Sequence, residues 1–393
     1  MIKLFKKFLS KNNLDGFIIS KNDSYFTEYS RINNLSKLTN FTGSAGFSLI
    51  LKNENYLFVD GRYTLQAKRQ SGKNFKIVEI PYVWPKDLSN IKNKIIGFNP
   101  KLFTQKTLLK FFENKAKLIP LEFEFKNPSE KIIKKIYKLD KTITGEDSSL
   151  KIKKLRRYMF KNKINYMYCS ASENVNWLLN VRGKDLPNSP VVNCKLIVPD
   201  NGTLHLFINL KKVPKFLKSD LKNIIFHKEN DFFQVLCGLK YGSFCIDENT
   251  CSIFEEKIIS SNFKINKRSD PIYEFKSIKN KIEIKNTINA HIEDGVALTK
   301  FLYWFKKNKK ESTEKIIENK LEELRKKSKN YLFPSFDTIA GSGPNGAIIH
   351  YKSTQKTNRK VRKNDILLVD SGGQYKWGTT DVTRTTFFGK VSN

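Results

Sequence analysis

The spacing of apolar residues divides the chain into alternating helical and extended segments. Between residues 1 and 11, Ile2, Phe5, Phe8 and Leu9 recur on one side among lysines, which predicts an amphipathic first helix. Phe17-Ile18-Ile19 follows as a short continuous apolar run, the pattern of a buried strand. The same order then returns. Residues 3–20 line up with 153–170, and Asn40-Phe41-Thr42-Gly43 is answered by Asn180-Val181-Arg182-Gly183. Residues 48–59 and 195–207 both read as strand, turn, strand. Two copies of one α/β unit of about 140 residues, each a mixed sheet with helices packed on it, explain the repeat. After Val59, Asp60-Gly61 reads as a turn into a helix with Asp60 as its cap. Residues 211–241 are lysine-rich and aperiodic, and read as solvated surface.

A third region begins near Ser277. Ile288, Ile292, Val296, Phe301, Leu302 and Phe305 predict one long helix over residues 282–306, with His291 near its apolar face as an ordinary core histidine. Thr313 caps a second helix that turns Ile317, Leu321 and Leu324 to one side. A glycine-rich loop around Pro344 leads into a short strand, 347–349, ending on His350. A histidine at such a position can relay a proton or steady developing charge. The apolar run 366–369 predicts a buried strand entering Asp370, and residues 382–388, rich in Thr, Val and Phe, predict a returning strand.

If these strands pair about a turn near Tyr375-Lys376, Asp370 and Asp381 lie opposite each other. Opposed side chains sit about 4.5–5.5 Å apart at Cβ, where like charges repel, so the pair needs a cation between them. All-oxygen sites suit Mg, Ca or Mn, and two such ions side by side form a hydrolytic device. Two solvated aspartates on a hairpin are the plainer reading of the bare spacing.

Composition narrows the alternatives. A chain of 393 residues exceeds one ordinary core and points to two or three domains. With 39% hydrophobic and 12% aromatic residues it is not a disordered chain. No apolar run approaches the roughly 18 residues that span a bilayer, so no membrane partner is expected. The net charge of +34 is spread along the whole chain among Asn, Ile and Phe, which argues for compositional drift and against a nucleic-acid surface. Five cysteines without a C-x-x-C spacing fit reduced thiols in a cytoplasm and no structural zinc. Neither G-x-S-x-G nor H-E-x-x-H occurs.

The full string of residues 370–385 closely resembles the first metal-ligand segment of the pita-bread metallopeptidases, and among them the Xaa-Pro aminopeptidase (aminopeptidase P) branch. Residues 41–46 and 59–67 are similar to that family's first domain, 176–183 with Asp185-Leu186-Pro187 to its middle domain, and 288–304, 320–325 and 335–351 to its catalytic domain. The resemblance implies an α/β chain with two creatinase-like amino-terminal domains, residues 1–141 and 142–276, then the first half of a pita-bread catalytic domain, 277–393. It implies release of the first residue from peptides with proline in second position, in the cytoplasm. Asp370 would chelate one of two Mn2+ ions, Asp381 would bridge both, and His350 would line the substrate pocket. Arg182 would guide a peptide carboxylate, although an ion pair with Asp185 is the plainer reading. A homodimer is implied where the catalytic domain is complete.

The family's other three ligands, one histidine and two glutamates, come from the second half of the catalytic domain. Residues 382–393 contain no His, Glu or Asp. The expectation is therefore an enzyme truncated within its catalytic domain, weak in metal binding and inactive alone. The alternative is a non-catalytic remnant or interaction protein that keeps the front half of the fold. Creatinases and prolidases share the catalytic fold but generally carry one amino-terminal domain, and the repeat argues against them.

Overall fold

The computed structural model describes residues 1–27, 29–30, 33–123, 125 and 133–387. They form two compact units. One comprises residues 1–138, 147–187 and 191–278, and the other 139–146, 188–190 and 279–393.

The first unit holds the repeat. Strands β1 (Gly16–Ser20), β2 (Phe47–Leu51), β3 (Asn55–Asp60), β4 (Lys76–Ile80), β5 (Ile95–Phe98) and β6 (Lys117–Pro120) form a sheet in the order β4-β3-β2-β1-β5-β6. A two-stranded ladder joins β7 (Tyr137–Lys138) to β9 (Val181–Arg182). The second copy comprises β8 (Tyr166–Cys169), β10 (Cys194–Pro199), β11 (Leu204–Ile208), β12 (Ile224–His227), β13 (Ser243–Ile246) and β14 (Lys264–Lys267). Its order, β12-β11-β10-β8-β13-β14, is that of the first. In each sheet the first strand runs antiparallel to one neighbour and parallel to the other, β1 between β2 and β5, β8 between β10 and β13.

Strand alternation explains the layers. Successive side chains point to opposite faces, so Ile18 and Leu49 enter one core while Phe17 and Ile50 enter the other. In the second copy Tyr168 and Ile197 fill one face, Met167 and Leu196 the other. Helix Ile2–Lys11 buries Phe5 and Leu9, and helix Ser148–Lys161 buries Leu155 and Met159 at the matching positions. Asn40 and Asn180 both adopt left-handed backbone, with φ of 64° and 55°, a conformation asparagine tolerates better than most residues.

Three expectations change here. Residues 211–241 contain two short helices, Lys215–Asp220 and Phe232–Cys237, and the edge strand β12, with Leu217 and Ile224 buried. An edge strand needs few apolar residues, and lysine stems cover apolar surface while their heads stay in water, which hides the pattern. Asp60 does not cap helix Thr64–Ser71; Tyr63 is the cap residue, and Asp60 pairs with Arg62 at 2.8 Å. Asp185 pairs with Lys212 at 2.7 Å, not with Arg182. All five cysteines are free thiols, four of them buried. Among the described residues no helix is long and apolar enough to cross a membrane.

In the second unit, helices Lys281–Asn308 and Glu314–Arg325 pack against β16 (Ile339–Ser342) and β17 (Ile366–Ser371). Strand β15 (Tyr331–Pro334) joins β18 (Gly373–Tyr375) and β19 (Gly378–Thr379), while β17 lies between β16 and β20 (Val382–Phe387). Phe388, expected in the last strand, lies outside the described residues. Thr313 caps the second helix as expected, accepting from Ile316 N at 3.4 Å.

The long helix buries Ala297, Leu298, Phe301 and Phe305 but leaves Ile288, Ile292, Val296 and His291 exposed. Residues four apart form a ridge on any face, so the helical period could not say which ridge enters the core. No strand forms at 347–349. A 3-10 turn, Gly343–Ala347, runs into a bend and turn over residues 348–350, and His350 is exposed with φ of 54°. Glycines on both sides of Pro344 favour the turn over extension.

Candidate functional site

The two aspartates meet, but not as directly opposed residues. Strand β17 pairs with β20 so that Asp370 faces Thr383 and Ser371 faces Val382. Asp381 lies just before β20, two residues from Thr383 and therefore on the same side. It is a diagonal neighbour of Asp370. Thr383 Oγ1 donates to Asp370 Oδ1 at 2.8 Å. Burial, then the Asp370 charge and a hydrogen bond with that carboxyl, raise the Asp381 carboxyl above the usual aspartate value. Two neighbouring carboxylates repel each other when both are charged, and a cation between them would relieve that repulsion. Among the described residues neither makes an ion pair with lysine or arginine.

The intervening segment fixes this approach. The single hairpin expected about Tyr375-Lys376 is a detour: the chain leaves β17, turns between β18 and β19 in the other sheet, and returns to β20. Thr380 N donates to Gly373 O and Gly373 N to Thr380 Oγ1, both at 2.9 Å, closing the neck of the detour. A Cβ on Gly372 would stand 2.0 Å from Thr380 O and 2.2 Å from Ser335 Oγ. Glycine is required there by close approach, which gives the Ser371-Gly372-Gly373 string its physical reason.

Behind the aspartates lies a buried ion pair that the sequence pattern did not disclose. Arg325 Nε donates to Asp294 Oδ1 at 2.7 Å, and Arg325 Nη2 reaches Asp294 Oδ2 at 3.1 Å and Ser371 Oγ at 3.0 Å. Tyr375 OH donates to Asp294 Oδ1 at 2.8 Å. Both helices, β17 and β18 are thereby tied to one fork-shaped contact. Its only trace in the sequence is Asp294 placed one helical turn from the core positions Ala290 and Leu298.

The loop that carries His350 is held by Glu314, which is fully buried. Its carboxylate accepts from Ser342 N at 2.8 Å, Tyr351 OH at 2.8 Å, Asn345 Nδ2 at 3.0 Å and Arg359 N at 3.0 Å. Four donors on one carboxylate offset the cost of burying it. His350 leaves this loop on the outside, next to Tyr351. Arg182 belongs to the first unit, where its Nη1 donates to Asn176 O at 3.1 Å and Val181 O at 2.9 Å.

Comparison with known proteins places these features in a family. Residues 1–127 match the creatinase/prolidase N-terminal domain, 126–283 a second creatinase/prolidase N-terminal domain model, and 285–393 metallopeptidase family M24. Xaa-Pro aminopeptidase 1 of Dictyostelium discoideum is 32% identical over 425 residues, covering 99% of this chain and 67% of that protein. The chain belongs to the Xaa-Pro aminopeptidase family. A Drosophila melanogaster Xaa-Pro aminopeptidase is 30% identical, covering 96% of the chain and 66% of the relative. Among solved structures, the X-prolyl aminopeptidase of Caenorhabditis elegans, described as a cytosolic enzyme with a di-nuclear active site, superposes with a TM-score of 0.87 at 25% identity. That match covers 95% of this chain and 66% of the worm enzyme. The chain spans about two thirds of the length of the curated relatives it matches, 64% and 63% for two fungal ones.

The donor set fits one side of a hard-metal site. Two carboxylates and a threonine hydroxyl offer only oxygen, the preference of Mg2+ or Mn2+ over softer ions. Among the described residues no group of three or more His, Cys, Asp or Glu converges on one point.

Proposed function

We propose that this chain forms the front part of a metal-dependent Xaa-Pro aminopeptidase, in which Asp370 and Asp381 hold two Mn2+ ions. The observation that carries this reading is the register of β17 on β20, which sets Asp370 opposite Thr383 and so brings Asp381 diagonally beside it. When bound, such ions lower the pKa of a coordinated water and polarise the scissile carbonyl. The hydroxyl of Thr383 steadies the Asp370 carboxylate, and the neck at Gly373 and Thr380 keeps Asp381 beside it. His350, exposed on a loop anchored by Glu314, would donate a hydrogen bond or move a proton at the substrate. Arg182 would guide a peptide carboxylate. Preference for proline in second position, a cytoplasmic location and a homodimer rest on the relatives' names and on the family resemblance.

The test is hydrolysis of an Xaa-Pro peptide with and without Mn2+, by the 393-residue chain and by a form extended along its downstream reading frame. Mn2+-dependent release by the extended form, lost in Asp370→Asn and Asp381→Asn, is the expected result, with the 393-residue chain silent. Activity in the short chain would overturn the claim that its ligand set is incomplete. Silence in both would replace the enzyme by a non-catalytic protein that keeps the front of the fold.

A further inference from the structure

The second copy carries a pair of histidines that the aminopeptidase reading does not use. His205 on β11 and His227 on the edge strand β12 bring Nδ1 and Nε2 within 3.0 Å of each other. Their rings are stacked at 5.2 Å between centroids and 24° between planes. Register explains the meeting: β11 and β12 run parallel with His205 beside Ile225 and Phe207 beside His227, so both imidazoles lie on one face, two residues out of step. Phe207 stacks on His227 at 5.3 Å and fixes its orientation. Both rings are half-buried. Burial lowers the proton affinity of each; the His227 charge adds to this at His205, and Asp231 opposes it at His227. Both are therefore neutral near neutral pH, the form that ligates metals.

We propose that His205 and His227 form a bidentate site for a borderline divalent transition ion, Zn2+, Ni2+ or Cu2+, separate from the carboxylate site. The separation suits a chelate. Metal–nitrogen bonds of about 2.0–2.1 Å, at an angle between about 90° and tetrahedral, put two ligand nitrogens about 2.9–3.4 Å apart. The pair now shares one proton between the facing nitrogens. On binding, the ring that carries it shifts that proton to its other nitrogen, both facing lone pairs go to the metal, and no proton is released. Water completes the coordination, because no third His, Cys, Asp or Glu converges among the described residues. Donor type sorts the ions: two imidazoles favour Cu2+, Ni2+ and Zn2+, whereas Asp370 and Asp381 favour harder ions.

The experiment uses the whole chain with Asp370→Asn and Asp381→Asn, which silences the carboxylate site, stripped of metal and titrated with Zn2+ or Cu2+ by calorimetry. One equivalent should bind, with affinity falling at least tenfold in His205→Gln and again in His227→Gln. Electron paramagnetic resonance of the Cu2+ form should show coupling to two imidazole nitrogens. Circular dichroism of each variant separates lost binding from lost folding. Equal binding in the histidine variants, or a copper spectrum with fewer than two nitrogens, would overturn the site. Failure of the peptidase reading would leave this result untouched.

Discussion

The two copies of the α/β unit share a frame and differ in what they bury at its centre. Asn99 after β5 and Asp247 after β13 make the same turn, accepting from the backbone two residues on at 3.0 and 2.8 Å. Thr104 and Ser252 cap the helices that follow. Asn34 and Asn174 lie in the first turns of matching helices. The copies part three residues beyond β6 and β14, where the first has Phe123 and the second Asp270. In the second copy Asn174 Nδ2 donates to Asp270 Oδ2 at 2.8 Å. In the first, Phe123 takes that place, and Asn34 Oδ1 is buried without a partner among the described residues, beside a cavity of about 10 Å3 lined by Phe103, Phe123 and Phe125. Apolar alternation and turn geometry hold the frame, so one buried polar contact can be exchanged for an aromatic cluster without loss of topology.

The sharpest contrast lies with the second unit, which is tied by a buried charge pair. Arg325→Met leaves Asp294 unpaired and should cost about 3–5 kcal/mol in denaturant unfolding of that unit. A loss below about 1 kcal/mol would show that the fork is dispensable. Within the repeat, Leu49 and Ile197 occupy equivalent, fully buried positions. Leu49→Ala and Ile197→Ala should each cost about 2–5 kcal/mol and about equally; an effect confined to one copy would break the equivalence.

Acidity separates the copies next. Burial pushes the Asp270 carboxyl up to about 6, aided by Asp247 and opposed by bonds from Asn174 and Ile272 N and by Lys276. The folded state then holds a proton that the unfolded chain, with an ordinary aspartate, has released. Stability should be fully present below about pH 4 and fall by roughly 2–3 kcal/mol as pH rises to about 7. Asp270→Asn should remove that slope; an unchanged profile would reject the assignment.

The smallest effects should differ in sign. Asn174→Leu removes a donor from a buried carboxyl and should cost about 1–3 kcal/mol, whereas Asn34→Leu removes an unpaired acceptor and should be near neutral or stabilising. Equal losses, measured side by side, would mean the two amides do the same work.

Much of this was legible in the chain. Phe5 with Leu155 and Leu9 with Met159 announced two equivalent helices, and the short apolar runs announced their strands. The residues around Asp370 and Asp381 marked the candidate site. Glu314, Asp294 and Arg325 were not legible as its supports, because partners 28 to 81 residues apart leave no local period. Ile288, Ile292 and Val296 misled for the opposite reason. Their period was real, but it belonged to the outer ridge of the helix.

Residue order alone determined the duplicated α/β units, the amphipathic helices that cover them, and the string that names the family, since each depends on contacts or conformations a few residues long. Tertiary structure alone decided how far apart the two carboxyl groups stand, which ridge of the long helix is buried, and that His205 meets His227. Those outcomes depend on strand register and on charges brought together over long loops. Neither the distance nor the field between such groups exists until the chain has folded.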